Sequence, residues 1–185
     1  MKLPDVDIDF ADRFQVLEII KHVKASQVID GHRRHHNSGV YLQRIPHDLD
    51  GIAGLDYKTA EGRGYFKFDL LNNGAYKIFS SKEELDLFAN KEPRWEKLLD
   101  LDIVAQLPHV HEHIHILQTL QPKSVEQLAA VLAIIRPGKR YLLNSGWEKI
   151  NQEVWTKVDN QYSFKKSHAV AYAILIVAVL NKLTS

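Results

Sequence analysis

The chain has 185 residues, which is enough for one domain with a substantial hydrophobic core. Its formal net charge is only +1 at pH 7, so any surface that binds nucleic acid must be a local patch. It contains no cysteine, which excludes disulfides, zinc–cysteine sites and thiol nucleophiles.

The first predicted element is an acidic strand. Over residues 3–10 apolar and acidic residues alternate, which is the period of a half-buried strand. Three acidic side chains therefore share one face, namely Asp5, Asp7 and Asp9. Aspartate is depleted in strands, so its presence at three successive positions of one face is unusual.

Short elements and loops are predicted for the following residues. The apolar spacing over residues 11–24 predicts a helix, and residues 28–29 and 39–42 are candidates for short strands. The polar and basic residues 30–38 are predicted to form a loop, as is most of the stretch 51–64.

A second alternating strand is predicted at residues 65–71, where Lys67 and Asp69 share one face. If the two acidic strands are neighbours, three or four carboxylates and one lysine occupy a common surface. Carboxylates that close repel one another unless a cation lies between them, and Mg²⁺ takes oxygen ligands of this kind. Two such ions about 3.5–4 Å apart are the usual machinery of phosphoryl transfer. The alternative is an acidic surface without catalysis, because isolated Asp-x-Asp pairs are common.

The C-terminal half is predicted to be helical. Ser81 and Ser124 each begin a stretch with the form of a capping box, so a helix should start after each of them. A short helix is expected after Pro93, and Pro137 should end the helix that follows Ser124. Residues 167–182 are almost all apolar and predict a buried helix.

No membrane signal is evident. No apolar segment of the signal-peptide type follows Met1 and Lys2, and the longest apolar run, residues 169–180, is too short to span a bilayer. We therefore expect a cytoplasmic protein without a membrane partner.

Three basic segments are candidates for contact with phosphate. Residues 32–36 could contact phosphate through the arginine fork or form a solvated turn. Residues 136–140 follow an apolar helix, where the helix dipole alone favours cations. Residues 165–168 precede the last helix, whose N-terminus could bind an anion, although Ser167 could equally be a simple cap. The candidate side chains are Arg33, Arg34, His36, Arg136, Lys139, Arg140, Lys166, Ser167 and His168.

Four histidines alternate with other residues between His109 and His115. On a helix they would form i,i+4 pairs, which is a spacing found in zinc sites. The stretch does not read H-E-x-x-H, and no distant third ligand is evident. We therefore expect a polar surface segment rather than a metal site.

Taken together, the motifs resemble the catalytic core of the C family of DNA polymerases, the family of the bacterial replicative polymerase III alpha subunit. That family has a P-D-x-D-x-D-F strand, a basic segment ending in H-x-G-G-V, a K-F-D strand, an apolar helix ending in R-P-G, and K-S-H followed by A-Y-A. The similar segments here occur in the same order, at residues 4–10, 36–40, 67–69, 134–138 and 166–173.

The resemblance implies an α+β fold. Residues 1–80 would form a palm-like part, in which a mixed sheet related to the polymerase beta nucleotidyltransferase fold carries the acidic cluster. Residues 81–185 would form a helical, fingers-like part, packed with the first into one unit. By the same carry-over Asp5, Asp7 and Asp69 would be catalytic and would hold Mg²⁺ or Mn²⁺. The triphosphate would meet Lys67, Arg136, Lys166, Ser167 and His168, and DNA would meet Arg33, Arg34, His36, Lys139 and Arg140.

The expected function is therefore that of a metal-dependent nucleotidyltransferase, a DNA polymerase-like core acting on DNA and deoxynucleoside triphosphates. The Gly- and Ser-rich loop that holds triphosphate in the family has no counterpart here, so we expect a separate protein to supply it, as in a split enzyme. The small size suggests a compact genome such as that of a phage. One alternative is a non-catalytic module that binds nucleic acid or a polymerase subunit. A weaker alternative is a two-metal nuclease.

Overall fold

The structure is a computed structural model, and it describes residues 6–156 and 164–185. The chain divides into two compact units, Met1–Lys77 and Ile78–Ser185. The first carries a mixed five-stranded sheet and the second is helical, so the predicted α+β class is confirmed.

The first unit is built around the sheet, whose strand order is β1-β5-β3-β2-β4. Strand β1 runs parallel to β5 and β2 runs parallel to β4, while β3 is antiparallel to both β2 and β5. The elements are β1 (Val6–Phe10), α1 (Arg13–Ile19), β2 (Val23–Ile29), β3 (His32–Tyr41), β4 (Ile52–Asp56), α2 (Tyr57–Gly62) and β5 (Phe68–Asn72).

The helix predicted over residues 11–24 is shorter than expected. The side chain of Asp12 caps its start by accepting a hydrogen bond from the Phe14 amide, and the backbone is already extended at Ile20. Val23 begins β2 and packs against the small core of this unit. Val23 is apolar because it packs in the sheet. Its position happens to fit the helical spacing, so the predicted helix was too long.

The loop predicted over residues 30–38 is also wrong, because most of this stretch belongs to β3. Strands β2 and β3 form a hairpin with Ile29 opposite His32. The two residues between them, Asp30 and Gly31, both have positive φ, at 51° and 76°. This is the Asp-Gly turn that matches the twist of a hairpin. The polar strand is solvent-exposed at its start, so no hydrophobic alternation marks it.

The stretch 51–64, predicted to be mostly loop, holds β4 and α2. Helix α2 begins because the Asp56 carboxylate accepts hydrogen bonds from the amides of Lys58 and Thr59. This cap lowers the pKa of Asp56, chiefly through the Thr59 hydroxyl. Helix α2 contributes Ala60 to the core of the unit, beside Ala25, Tyr41, Ile45 and Ala53.

Tyr41 gives this core a pH dependence. Its side chain is buried, and its hydroxyl has no hydrogen-bond partner among the described residues. Burial, followed by the charge of Asp56, raises the pKa of Tyr41 from 10.0 to about 12. Between these values the unfolded chain releases the phenolic proton while the native state keeps it, so stability falls as the pH rises.

We expect Tyr41→Phe to remove this alkaline loss, which amounts to about 1.4 kcal/mol at pH 11, midway between the two pKa values. At pH 7 the variant should be as stable as the wild type or slightly more so, because an unsatisfied buried hydroxyl is removed. Denaturant unfolding of both proteins at pH 7 and at pH 11 measures the difference. An equal loss of stability in the two proteins would contradict the assignment.

The second unit consists of helices. They are α3 (Lys82–Ala89), a 3-10 helix (Trp95–Leu99), α4 (Leu101–Val104), α5 (Ile114–Leu120), α6 (Val125–Ile134), a 3-10 helix (Pro137–Leu142), α7 (Trp147–Glu153) and α8 (Lys166–Leu183). A further 3-10 helix, Gly74–Ile78, lies at the division between the units.

The helix starts predicted at Ser81 and Ser124 are confirmed. Each serine hydroxyl accepts a hydrogen bond from the amide three residues later. The reciprocal bonds reach one residue further back than in a standard capping box, because Glu84 accepts from the Ser80 amide and Gln127 from the Lys123 amide. Helix α6 ends ahead of Pro137, as predicted.

The predicted burial of the last helix is confirmed as well. Helix α8 packs against α6 and α3, and most of its second half is buried. The buried Asn181 amide donates hydrogen bonds to the carbonyls of Phe88 and Lys91, which anchors α8 to the segment around α3. By length and hydropathy α8 is the one described helix that could cross a membrane, but half of it is buried inside the protein, as in a core helix.

Candidate functional site

Two of the predicted catalytic residues lie side by side in the sheet. Strands β1 and β5 are parallel neighbours, and their register places Asp7 opposite Asp69. Paired residues of neighbouring strands project from the same face, with the strands about 4.8 Å apart. The third predicted residue, Asp5, lies outside the described residues.

Asp69 is a buried carboxylate with two close partners. Only 8% of the residue is exposed. Its Oδ1 accepts a hydrogen bond of 2.8 Å from the Ser38 hydroxyl, and its Oδ2 forms an ion pair with the Lys67 ammonium. Lys67 and Asp69 thus meet, as predicted, although the strand expected over residues 65–71 begins only at Phe68 and Lys67 precedes it. The ammonium compensates a carboxylate that would be costly to bury alone.

His36 lies beside this pair as a neutral ring. Its Nδ1 accepts a hydrogen bond of 3.0 Å from the Gly39 amide, so this nitrogen carries no proton and the neutral ring is protonated at Nε2. Burial, followed by the positive charge of Lys67, lowers the pKa of His36. The 3.6 Å approach of Nδ1 to Asp69 is therefore a contact and not an ion pair.

Tyr57 and Gly39 complete the surroundings of Lys67, and neither role was predicted from the sequence. The Lys67 ammonium lies 5.8 Å from the centre of the Tyr57 ring, and the His36 ring meets the same tyrosine edge-on at 5.4 Å. Gly39 is opposite Asp69 on β3. A Cβ atom at Gly39 would lie 2.8 Å from the Lys67 side chain and 3.0 Å from Ala25 and from His36.

We expect Gly39→Ala to destabilise the protein by about 1–3 kcal/mol, the usual cost of overpacking. The added methyl group must displace the Lys67 stem or the His36 ring. The matched control is Gly62→Ala at the end of α2, where nothing lies within 4 Å of the new methyl group. The control should unfold at the same denaturant concentration as the wild type or a higher one. Equal stability of the two variants would show that the contacts at Gly39 relax freely.

The donor atoms at this site suit a hard divalent cation. Asp7 and Asp69 offer carboxylate oxygens, which are the ligands that Mg²⁺ and Mn²⁺ prefer. Within the described residues no group of three or more metal-ligating side chains is assembled. The described part of the site thus contributes two carboxylates, one of which is paired with Lys67.

Arg33 and Arg34, two residues of the first unit that were predicted to bind DNA, differ in how free their side chains are to contact a ligand. Arg33 forms an ion pair of 2.9 Å with Asp48 and donates a hydrogen bond to the Ala53 carbonyl. Arg34 is exposed on β3. These two side chains follow each other on a strand, so they project from opposite faces.

In the second unit the structure brings together two of the predicted phosphate-binding residues. The Arg136 guanidinium lies 5.1 Å from the centre of the Phe164 ring, and the His168 ring lies 6.4 Å from the same centre. Lys166 lies 5.9 Å from the ring of Trp155. Ser167 is exposed in the first turn of α8 and does not cap it, because the N-cap residue is Lys165.

Lys139 was predicted to bind DNA, but its side chain is buried. The residue is only 4% exposed, and its ammonium donates hydrogen bonds to the Glu153 carbonyl and the Thr156 hydroxyl at the end of α7. Burial lowers the pKa of Lys139. This packing does not support the predicted contact with DNA. Arg140 is partly buried and donates a hydrogen bond to the Ile135 carbonyl.

The histidine-rich segment is not a helical metal-binding motif in the described structure. Helix α5 begins only at Ile114, so the i,i+4 spacing does not place the histidines on one helix face. His109 stacks on Tyr172 at 4.3 Å, and His113 meets His115 edge-on. The described residues contain no cluster of three metal ligands here.

Comparison with known proteins adds no identification: no protein-family model matches the chain, and no curated protein matches it either. Function is therefore inferred from the side chains of the site and from the motifs that carry them.

Proposed function

We propose that the paired aspartates of β1 and β5 form the metal-binding centre of a nucleotidyltransferase of the kind found in C-family DNA polymerases. One observation carries the proposal. Asp7 and Asp69 are opposite each other on parallel neighbouring strands, and Lys67 forms an ion pair with Asp69. Two carboxylates and a lysine on one face suit a metal ion and a phosphate group together. The first unit would then be the palm.

In this proposal each side chain has a defined task. Asp7 and Asp69, with Asp5, would hold Mg²⁺ or Mn²⁺, and the bound ion would stabilise charge on the phosphoryl oxygens. Lys67 would turn its ammonium toward the phosphates once the metal takes its place on Asp69. Ser38 would keep the carboxylate oriented, because its hydroxyl already donates to Oδ1.

The residues proposed to bind the triphosphate of a deoxynucleotide include four in the second unit. The proposed role of Arg136 and His168 is supported by their position, because both lie against the Phe164 ring near the start of α8. Lys166 and Ser167 lie in the first turn of that helix, where amides and cations favour anions. DNA would be the other substrate.

A non-catalytic module that binds nucleic acid is the second candidate. The observation that favours it is the Lys67–Asp69 pair, since a buried carboxylate satisfied by a lysine and a serine needs no metal to be stable. In that case the acidic pair would be a structural element of the sheet.

Nucleotide incorporation on a primed DNA template separates the two candidates. The purified full chain is assayed with labelled deoxynucleoside triphosphates in Mg²⁺, in Mn²⁺ and in EDTA, alone and with candidate partner proteins. The proposal predicts primer extension that depends on the divalent cation. Binding of the template without extension in any of these mixtures would favour the non-catalytic module.

A further inference from the structure

A groove runs between α1 and the sheet of the first unit, and two residues placed around the proposed metal centre, His36 and Gly39, also line it. Its volume is about 510 Å³, within the range of small-molecule sites. One wall is helix α1 and the floor is formed by strands β2, β3 and β4. We refer to it as the α1 groove. It is lined on the helix side by Arg13, Phe14 and Leu17, and on the sheet side by Lys24, Val40 and Ile52.

The groove is lined by an exposed aromatic side chain, Phe14. Phe14 is 58% exposed, so its side chain is accessible to a ligand in the groove. Leu17, Val40 and Ile52 continue the apolar surface. An exposed ring with an apolar floor offers a stacking surface for a planar, partly apolar ligand.

A fixed positive charge lies next to the ring. The Arg13 guanidinium is 5.3 Å from the centre of the Phe14 ring, and it is held by hydrogen bonds to the carbonyls of Asn37 and Leu70. Its Nε is buried and has no hydrogen-bond partner among the residues that the structure describes. Lys24 brings a second cation to the same groove. Together they favour an anionic group beside the stacked ring.

The acidic lining residues narrow the choice of ligand. Glu18 and Asp50 also line the groove. Carboxylates accept hydrogen bonds from the N–H groups that every nucleobase carries, whereas they repel a ligand that is only anionic. A nucleotide satisfies all three features, because it combines a planar base, N–H donors and a phosphate.

The position of the groove favours a nucleic-acid strand as the ligand over a free nucleotide. His35 and His36 of β3 also line it, and the exposed basic residues His32 to Arg34 continue along the same strand. At its other side His36 contacts Asp69 of the proposed metal centre. Arg33 is paired with Asp48, so the further cation that a chain of phosphates would meet along β3 is Arg34, which a mononucleotide in the groove cannot reach.

We propose that the α1 groove binds single-stranded nucleic acid, with one base stacked on Phe14 and the adjoining phosphate at Arg13 and Lys24. The choice of nucleic acid rests on the proposed function, while the stacking surface and the cations are independent of the metal centre. Base–aromatic stacking tolerates any sequence, so binding should show little base preference.

Fluorescence anisotropy with a labelled oligothymidylate tests the proposal on the full chain in EDTA, without triphosphates. Phe14→Ala should weaken binding roughly five- to a hundredfold, the range for loss of one base–aromatic stack. Phe14→Trp should retain binding, which guards against loss through misfolding. The matched control is Ile19→Ala, since Ile19 is on the same helix, is 83% exposed and does not line the groove.

The salt dependence identifies the phosphate contact. Lys24→Gln should reduce the slope of log affinity against log salt by about 0.7, as for one lost contact with a single strand. Lys21→Gln, at an exposed position outside the groove, should leave the slope unchanged. Unlabelled thymidine monophosphate at an equal nucleotide concentration should not displace the oligonucleotide.

Three results would overturn the proposal: unchanged affinity of Phe14→Ala, equal effects of Phe14→Ala and Ile19→Ala, or complete displacement by the mononucleotide. Because no metal or triphosphate is present, these results are separate from the proposed transferase activity. Binding that depends on Phe14 would support the groove even in a protein that incorporates no nucleotide.

Discussion

Replacing either Asp7 or Asp69 by asparagine is expected to lower metal-dependent nucleotide transfer about a hundredfold or more. Each change removes one negative charge from the pair that faces the proposed metal, while the side-chain shape is kept. Loss of one group that stabilises charge in a transition state typically costs on the order of 10²–10³ in rate. The measurement is primer extension at saturating Mg²⁺, with oligonucleotide binding recorded in parallel.

Asp9→Asn is the control for these two variants. Asp9 lies on the same face of β1, two residues beyond Asp7, but it pairs with Leu71 and accepts a hydrogen bond from the Asn73 amide group. Asparagine can still accept that bond, so transfer should remain within a few-fold of the wild type. If Asp9→Asn were as inactive as Asp7→Asn, loss of any negative charge on this face of β1 would explain the result. The activity would then not depend specifically on the pair of Asp7 and Asp69.

Lys67→Met is expected to reduce the free energy of unfolding by about 3–5 kcal/mol in EDTA, because it leaves Asp69 buried without its counterion. Asp69 is 8% exposed, and among the described residues the Ser38 hydroxyl and the His36 contact remain beside it. A divalent cation should then replace the missing charge. Binding to the folded state alone stabilises by about 2.7 kcal/mol at a concentration 100 times Kd. Urea unfolding in EDTA and in Mg²⁺ measures both effects.

The wild type should gain less from Mg²⁺ than Lys67→Met does, because its lysine competes with the ion for Asp69. Lys58→Met is the control, since Lys58 is exposed and lies 5.9 Å from the centre of the same Tyr57 ring without contacting Asp69. It should lose little stability and respond to Mg²⁺ like the wild type. A Lys67→Met protein that Mg²⁺ does not stabilise would identify the pair as purely structural.

Local pattern was sufficient to predict several elements. Period-two alternation identified β1 and β5, and the serine caps identified the starts of α3 and α6. These signals are carried by neighbouring residues, so they survive without knowledge of the rest of the fold. The contact between Lys67 and Asp69 was predicted from the same alternation, although Lys67 lies just before β5.

Features that depend on distant residues could not be predicted. The register that sets Asp7 against Asp69 and the glycine that leaves room for Lys67 arise from pairing between strands far apart in the sequence. The burial of Lys139 depends on α7 packing over it. The β2–β3 hairpin is different, because its Asp30-Gly31 turn was visible in the sequence and the polar composition of β3 concealed it.

The most direct test of the central claim is a Mn²⁺ titration of the wild type, Asp7→Asn and Asp69→Asn, followed by the electron paramagnetic resonance signal of free Mn²⁺. It needs neither a partner protein nor DNA, so it examines the carboxylate pair alone. The proposed centre predicts saturable Mn²⁺ binding by the wild type that is strongly weakened in both variants. Identical titrations of the three proteins would contradict a metal site at Asp7 and Asp69.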